Sequence, residues 1–113
     1  MERTSLKKLQ TYLGFCIRSG KITFGVDGIE SLRKGVVLLL ADEALGESSF
    51  KTLKKLQEKF SCEMIICPRG ELGELLHRPA VKAVAIKDKH LADAILSVAD
   101  GEPQLKIYSG GTN

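Results

Sequence analysis

Val36-Val37-Leu38-Leu39-Leu40-Ala41 is the longest uninterrupted apolar run in the chain, and it restricts the possible folds more than any other stretch. Six residues fall far short of the roughly 20 that a membrane-spanning helix needs. A strand that is apolar on both faces has to be covered on both faces, and in a small protein helices provide that cover. The flanking segments carry the required patterns. Leu6, Leu9, Leu13, Cys16 and Ile17 follow the i, i+3, i+4 rhythm of one helix face, with Thr4 or Ser5 placed to cap it and an end near Ser19-Gly20. Lys21-Ile22-Thr23-Phe24 then alternates like a short strand, Gly25-Val26-Asp27-Gly28 turns the chain, and Ile29 and Leu32 begin a short helix that stops at Gly35.

Beyond the central run, Asp42 to Ser49 form a polar connector. Phe50, Leu53, Leu56, Gln57 and Phe60 then set a helix whose outer face carries Lys51, Lys54, Lys55 and Lys59. Glu63-Met64-Ile65-Ile66-Cys67 reads as a strand stopped by Pro68, and Leu72, Leu75 and Leu76 mark a fourth helix. Lys82-Ala83-Val84-Ala85-Ile86 is the next strand, and Asp88 caps a last helix that ends at Asp100-Gly101. This order predicts an α/β protein, a three-layer α/β/α sandwich with a small mixed sheet of about four strands. One domain over residues 1–101 is expected, since 113 residues suffice for a single core. Residues 102–113 have no strong period and are expected to be a loosely held tail.

Composition narrows the function classes. With 43% hydrophobic and 27% charged residues the chain has ordinary globular usage, which excludes a disordered or collagen-like polypeptide. The charged N-terminus lacks a signal-peptide pattern. Three cysteines, Cys16, Cys62 and Cys67, form no C-x-x-C pair and sit among apolar neighbours, so they read as packed core residues in a reducing compartment. A cytoplasmic location with no membrane partner is the expectation. The net charge of +3 is uneven: residues 1–60 hold 11 Lys/Arg against 7 Asp/Glu, and residues 61–113 hold 6 against 7. A basic first half suits either a polyanion-binding face or a solvated helix surface.

Catalytic constellations are scarce. His77, beside Arg78-Pro79, and His90, at the opening of the last helix, have no nearby triad partners, so each reads as a surface or capping residue. Asp42-Glu43 ends the central strand, but neighbouring strand residues point in opposite directions. A solvated loop opening fits that pair better than an acid/base or metal site. No enzyme activity, cofactor, metal or small-molecule substrate is therefore expected.

Two loops remain as binding candidates. Residues Gly25, Val26, Asp27 and Gly28 follow a strand and open a helix, where free N–H groups favour an anion, although the same pattern serves as a plain tight turn. Pro68, Arg69, Gly70 and Glu71 place an arginine in a second turn of the same kind. Joined by Lys21, Arg33 and Lys34, these loops would make a basic rim suited to a bent phosphate backbone. An aromatic content of 5% and the absence of Trp argue against a base-stacking platform.

Three stretches carry a family resemblance. Leu13-Gly14-Phe15-Cys16-Ile17-Arg18-Ser19-Gly20-Lys21-Ile22 resembles an "L-G-x-x-x-R-A-G-K-L" opening, and residues 25–44 resemble a "G-x-x-x…I-R-x-G…L-V-L-L-A-x-D-A" core. Glu71-Leu72-Gly73, followed by residues 81–86 and Asp88, resembles "E-L-G…V-V-A-V-x-D". Over residues 6–98 the chain thus resembles the L-seven-Ae/L-thirty-e-like ribosomal protein family. The resemblance implies an α/β/α sandwich that binds kink-turn or similarly bent RNA without catalysis and without a cofactor; ribosomal RNA is the expected partner and a monomer the expected state. It implies contacts from Gly25, Val26, Asp27 and Gly28 in one loop and from Pro68, Arg69, Gly70 and Glu71 in the other, with Lys21 and Lys34 as flanking phosphate contacts. Where that family has Asn-Glu this chain has Asp27-Gly28, and Glu30 or Ser31 replaces its basic residue one turn later. A protein-interaction module on the same fold, and a small phosphate- or nucleotide-binding domain, are the alternatives.

Overall fold

Helices and strands alternate along the chain: α1 (Arg3–Arg18), β1 (Ile22–Phe24), α2 (Val26–Glu30), β2 (Leu38–Asp42), α3 (Glu47–Phe60), β3 (Glu63–Cys67), α4 (Glu71–Leu76), β4 (Ala83–Ile86), α5 (Lys89–Asp100) and β5 (Lys106–Tyr108). This computed structural model describes residues 1–109. The strands form one mixed sheet in the order β1-β4-β2-β3-β5. β2 and β3 are parallel, Leu38 lying opposite Glu63 and Asp42 opposite Cys67, because α3 carries the chain back across the sheet between them. β4 inserts antiparallel between β1 and β2, with Ile86 beside both Ile22 and Leu38.

Strand alternation divides the core in two. Leu38, Leu40, Ile65, Cys67, Val84 and Ile86 face a cluster built with Leu9 and Leu13 of α1, Leu72, Leu75 and Leu76 of α4, and Ala92 and Ile95 of α5. Leu39, Ala41, Met64, Ile66, Ala83 and Ala85 face the opposite way, onto Ile29 of α2 and Leu53 and Leu56 of α3. The three-layer α/β/α arrangement expected from the 36–41 run is therefore the observed one. Asp88 caps α5 as expected, its Oδ1 accepting from the Leu91 N–H at 3.0 Å.

The sheet has five strands rather than four. β5 lies in the segment expected to be loosely held, pairing antiparallel with β3 so that Ile66 faces Lys106 and Met64 faces Tyr108. The side chain of Gln57, buried in α3, fastens its end by donating from Nε2 to the carbonyls of Tyr108 (2.9 Å) and Ser109 (3.0 Å). Leu105 is buried just before it. Residues 102–109 are thus part of the fold, and residues 110–113 lie outside the described residues.

Several boundaries also differ from the expected ones. α1 begins at Arg3, so Thr4 and Ser5 lie within its first turn and make no cap bond. β2 spans 38–42 rather than 36–41. The expected turn at 25–28 is mostly helix: Gly25, at φ 82° and ψ 150°, bends the chain directly out of β1, and Val26, Asp27 and Gly28 are already helical. That backbone conformation is open to glycine and strained for other residues. The helix stops at Glu30, and residues 31–37 form a connection rather than continuing helically to Gly35.

Candidate nucleic-acid interface

The direction of the strands sorts the connections into two groups. The upper end of the sheet is taken as that where β1, β2 and β3 finish and β4 and β5 start. It gathers residues 25–28, 43–46, 68–71, 77–82 and 101–105. Residues 19–21, 31–37, 61–62 and 87–88 form the lower end.

Both candidate loops are at the upper end, because β1 and β3 run in the same direction. The Gly25 N–H donates to the Ala83 carbonyl at 2.8 Å, pinning the first loop to the start of β4. The second is held by Asp42, whose Oδ2 accepts from the Gly70 N–H at 2.8 Å while Oδ1 accepts from the Ala44 N–H at 2.7 Å. Asp42 is only 2% exposed. The carboxylate is thus a buried tie between the ends of β2 and β3, neither the solvated loop opening expected from the sequence nor half of a catalytic pair, and Glu43 beside it is exposed. With β4 and β2 between β1 and β3, the two loops are separated by three strand spacings, about 14 Å.

Gly25, Val26, Asp27 and Gly28 line one side of an open depression of about 330 Å³, and Leu45, Ala80 and Lys82 line the other. The first-turn N–H groups of Val26, Asp27 and Gly28 have no intrahelical acceptors. Arg78 packs on Phe24, which also lines the depression, its guanidinium 4.4 Å from the centre of the ring. The 78–82 segment is held tightly against α4: the Arg78 N–H donates to the Gly73 carbonyl at 2.8 Å. A Cβ added at Gly73 would lie 2.9 Å from the Arg78 carbonyl oxygen, so only glycine fits there. Arg78 and Lys82 were missed as site residues because their place beside residues 25–28 depends on β4 running antiparallel between β1 and β2. The nearest sequence signal is Pro79, which breaks the chain before β4.

Lys21 and Lys34 do not join this site. Lys21 precedes β1 at the lower end, where its carbonyl accepts from the Lys87 N–H at 2.8 Å. Lys34 lies between α2 and β2, close to Leu32, whose carbonyl accepts from Nζ of Lys59 at the end of α3 at 2.9 Å. The expected single basic rim is therefore split between opposite ends of the sheet. What remains above is mixed in sign: Arg69, Arg78, Lys82 and Lys106 share the upper connections with Asp27, Glu43, Glu47, Glu71 and Glu102. Asp27 occupies the first turn of α2 itself.

The other titratable groups have structural surroundings. All three cysteines are buried and free, and burial pushes the thiols of Cys16 and Cys62 up to about 11 and that of Cys67 to about 12. Such thiols stay protonated and packed, as the sequence suggested. His77 is the left-handed C-cap of α4, and His90 lies in the first turn of α5. Glu102 is held below the usual carboxylate range by the N–H groups of Gln104 and Glu2, both donating to its side chain. Among the described residues, no group of three His, Cys, Asp or Glu side chains is placed to hold a metal ion.

No family model matches the chain, and no curated protein matches it. Among solved structures, a protein of unknown function from Bacillus halodurans is similar, with a TM-score of 0.66 at 16% sequence identity. The match covers 81% of this chain and 96% of that one. At that identity the likeness establishes a shared fold. None of the helices among the described residues is long and apolar enough to cross a membrane.

Proposed function

We propose that this protein is a non-enzymatic, cytoplasmic RNA-binding protein, ribosomal or ribosome-associated, which holds bent structured RNA against the upper end of its sheet as a monomer. The observation that carries this reading is the meeting of residues 25–28 with Ala80 and Lys82 around one open depression. First-turn N–H groups stand on one side of it and Lys82 on the other, and Arg78 lies against Phe24, which also lines it. Phosphate oxygens are acceptors, and this combination of backbone donors and cations positions a nucleic-acid backbone. Gly25 carries no side chain to hold that backbone away. Asp27 is an acceptor for guanine N–H donors. Arg69, beside Pro68, Gly70 and Glu71, supplies a further contact about 14 Å away across the sheet. The sequence resemblance to kink-turn binders points to the same end of the molecule.

A second reading, a protein-interaction module on this fold, is favoured by one observation. The five carboxylates named at the upper end offset its four cations. A salt titration separates the two. A kink-turn RNA and the same RNA without its bulge are compared for the native protein and for the Arg78→Ala/Lys82→Ala double variant. The RNA reading expects a preference for the bulged RNA, and a salt slope that falls by about 0.7–0.9 per lost phosphate contact in the variant. Equal, weak binding to both RNAs would remove it in favour of the protein-interaction module.

A further inference from the structure

The basic excess of the first half of the chain lies at the end of the sheet that the proposed site does not use. In these lower-end connections and the residues beside them, 18–21, 30–37, 58–63 and 87–89, stand seven cations, Arg18, Lys21, Arg33, Lys34, Lys59, Lys87 and Lys89, against four carboxylates, Glu30, Glu58, Glu63 and Asp88. Asp88 is occupied in capping α5. Only Lys89 is in an ion pair, with Asp93 at 2.8 Å, and that is the one ion pair among the described residues. These segments are joined: Lys87 bonds to Lys21, Val37 to Ile86, and Lys59 to Leu32 through their main chains or, for Lys59, its ammonium. Following the strand order from β1 across β4 and β2 to β3, the segments that carry these cations lie in a row about 14 Å long at the lower edge of the sheet.

Like charges held this close repel one another unless a polyanion lies over them. A nucleic-acid duplex presents about eight phosphates over 14 Å of its axis. Beside the row, Phe15 is 45% exposed and carries the Arg18 guanidinium 4.8 Å above its ring, a planar pair on which an unpaired base can stack. Apart from Phe15 the only exposed large hydrophobic side chain among the described residues is Tyr108, too little apolar surface to insert into a lipid bilayer.

We propose that the lower end is a second RNA-contacting surface, which binds the phosphate backbone without reading sequence. It lets the protein hold two RNA segments, one at each end of the sheet. The second half of this statement rests on the proposed function; the phosphate-binding surface does not. The molecule measures 33 × 29 × 28 Å, so the two segments would be held on opposite sides of a body wider than a single RNA groove.

The test uses the native protein, the lower-end variant Lys21→Ala/Lys34→Ala/Lys87→Ala and the upper-end variant Arg78→Ala/Lys82→Ala. Each is titrated with the bulged RNA, the bulge-free RNA and vesicles of phosphatidylserine in phosphatidylcholine, with urea midpoints measured as a check on folding. The expected result is that the lower-end variant keeps its urea midpoint and its preference for the bulge, but loses affinity for both RNAs alike. Its salt slope is expected to be smaller by about 2–3, the value for three lost phosphate contacts. An unchanged slope in that variant would overturn the second surface and leave the upper-site reading standing. Loss of bulge preference in the native protein, with the lower-end slope effect intact, would overturn the upper site and retain the phosphate-binding surface. Lower-end-dependent binding to vesicles but not to RNA would overturn the RNA assignment in favour of a lipid surface.

Discussion

Replacing Asp42 with alanine removes a carboxylate that accepts two main-chain hydrogen bonds, 2.7 Å from Ala44 N and 2.8 Å from Gly70 N, at a position 2% exposed. A hydrogen bond to a charged group contributes about 1.5–3 kcal/mol, so the loss of both is worth about 3–6 kcal/mol. With a urea m value of about 2 kcal/mol/M, the denaturation midpoint falls by about 1.5–3 M at an unchanged m. Asp42→Asn is the sharper probe. Its amide keeps one acceptor and turns a donor toward the other N–H, so it is expected to lose at least half of the alanine effect while remaining folded. Hydrogen exchange at Gly70 should quicken in Asp42→Ala, because this amide loses its only acceptor and the 68–71 segment loses its tie to β2. Glu43→Ala, at the exposed neighbour, serves as the control and is expected to shift stability by no more than about 0.5 kcal/mol. A midpoint for Asp42→Ala within about 0.3 M of the native value would show that solvent replaces the carboxylate without cost, and the account of the second loop would fail.

Gly73→Ala forces a Cβ to within 2.9 Å of the Arg78 carbonyl oxygen and 3.0 Å of Pro79. The expected cost is about 1–3 kcal/mol, with a weakening of RNA binding as the 78–82 segment moves, both read from one thermal-melt and titration series. The cysteines predict an alkaline limit. Their folded values of about 11, 11 and 12 lie above the ordinary 9.0, so the stability tied to their burial is complete below pH 9. It is then lost as pH rises through 11–12, where the unfolded chain has already released these protons. Urea midpoints measured from pH 8 to pH 11 are expected to fall steadily above pH 9, and a Cys67→Ala variant, which loses one of the three thiols, to fall less steeply. At pH 8 a thiol reagent is expected to label the three cysteines only after denaturant is added.

The layering of the fold was legible in one apolar run and three amphipathic helices, because burial on two faces leaves few other architectures. β5 was not legible, since Lys106-Ile107-Tyr108 contains a single alternation and its pairing is fixed by Gln57, fifty residues away in the chain. The start of α2 was hidden for a local reason: a glycine can signal a turn or a direct passage into a helix, and only its φ and ψ distinguish them. The position of residues 25–28 and 68–71 at one end was recoverable, because both follow strands of the same direction. The companions of those loops were not. Whether Arg78 and Lys82 share that end of the sheet depends on the sense of β4, and nothing in the residues 83–86 states it.

The outer edge of β3 gives the order of synthesis a physical meaning. β3 meets β2 on one side as soon as both exist, but its other edge has no partner until Tyr108 has been made, roughly forty residues later. At about 5–20 residues per second that interval lasts about 2–8 s. During it, Met64, Ile65 and Ile66 belong to a strand with open N–H and C=O groups, the kind of edge on which a neighbouring nascent chain can pair. Lys106 and the Gln57 clamp therefore act as a closing seal, and chains cut short before residue 106 are the form of this protein most exposed to edge-to-edge aggregation.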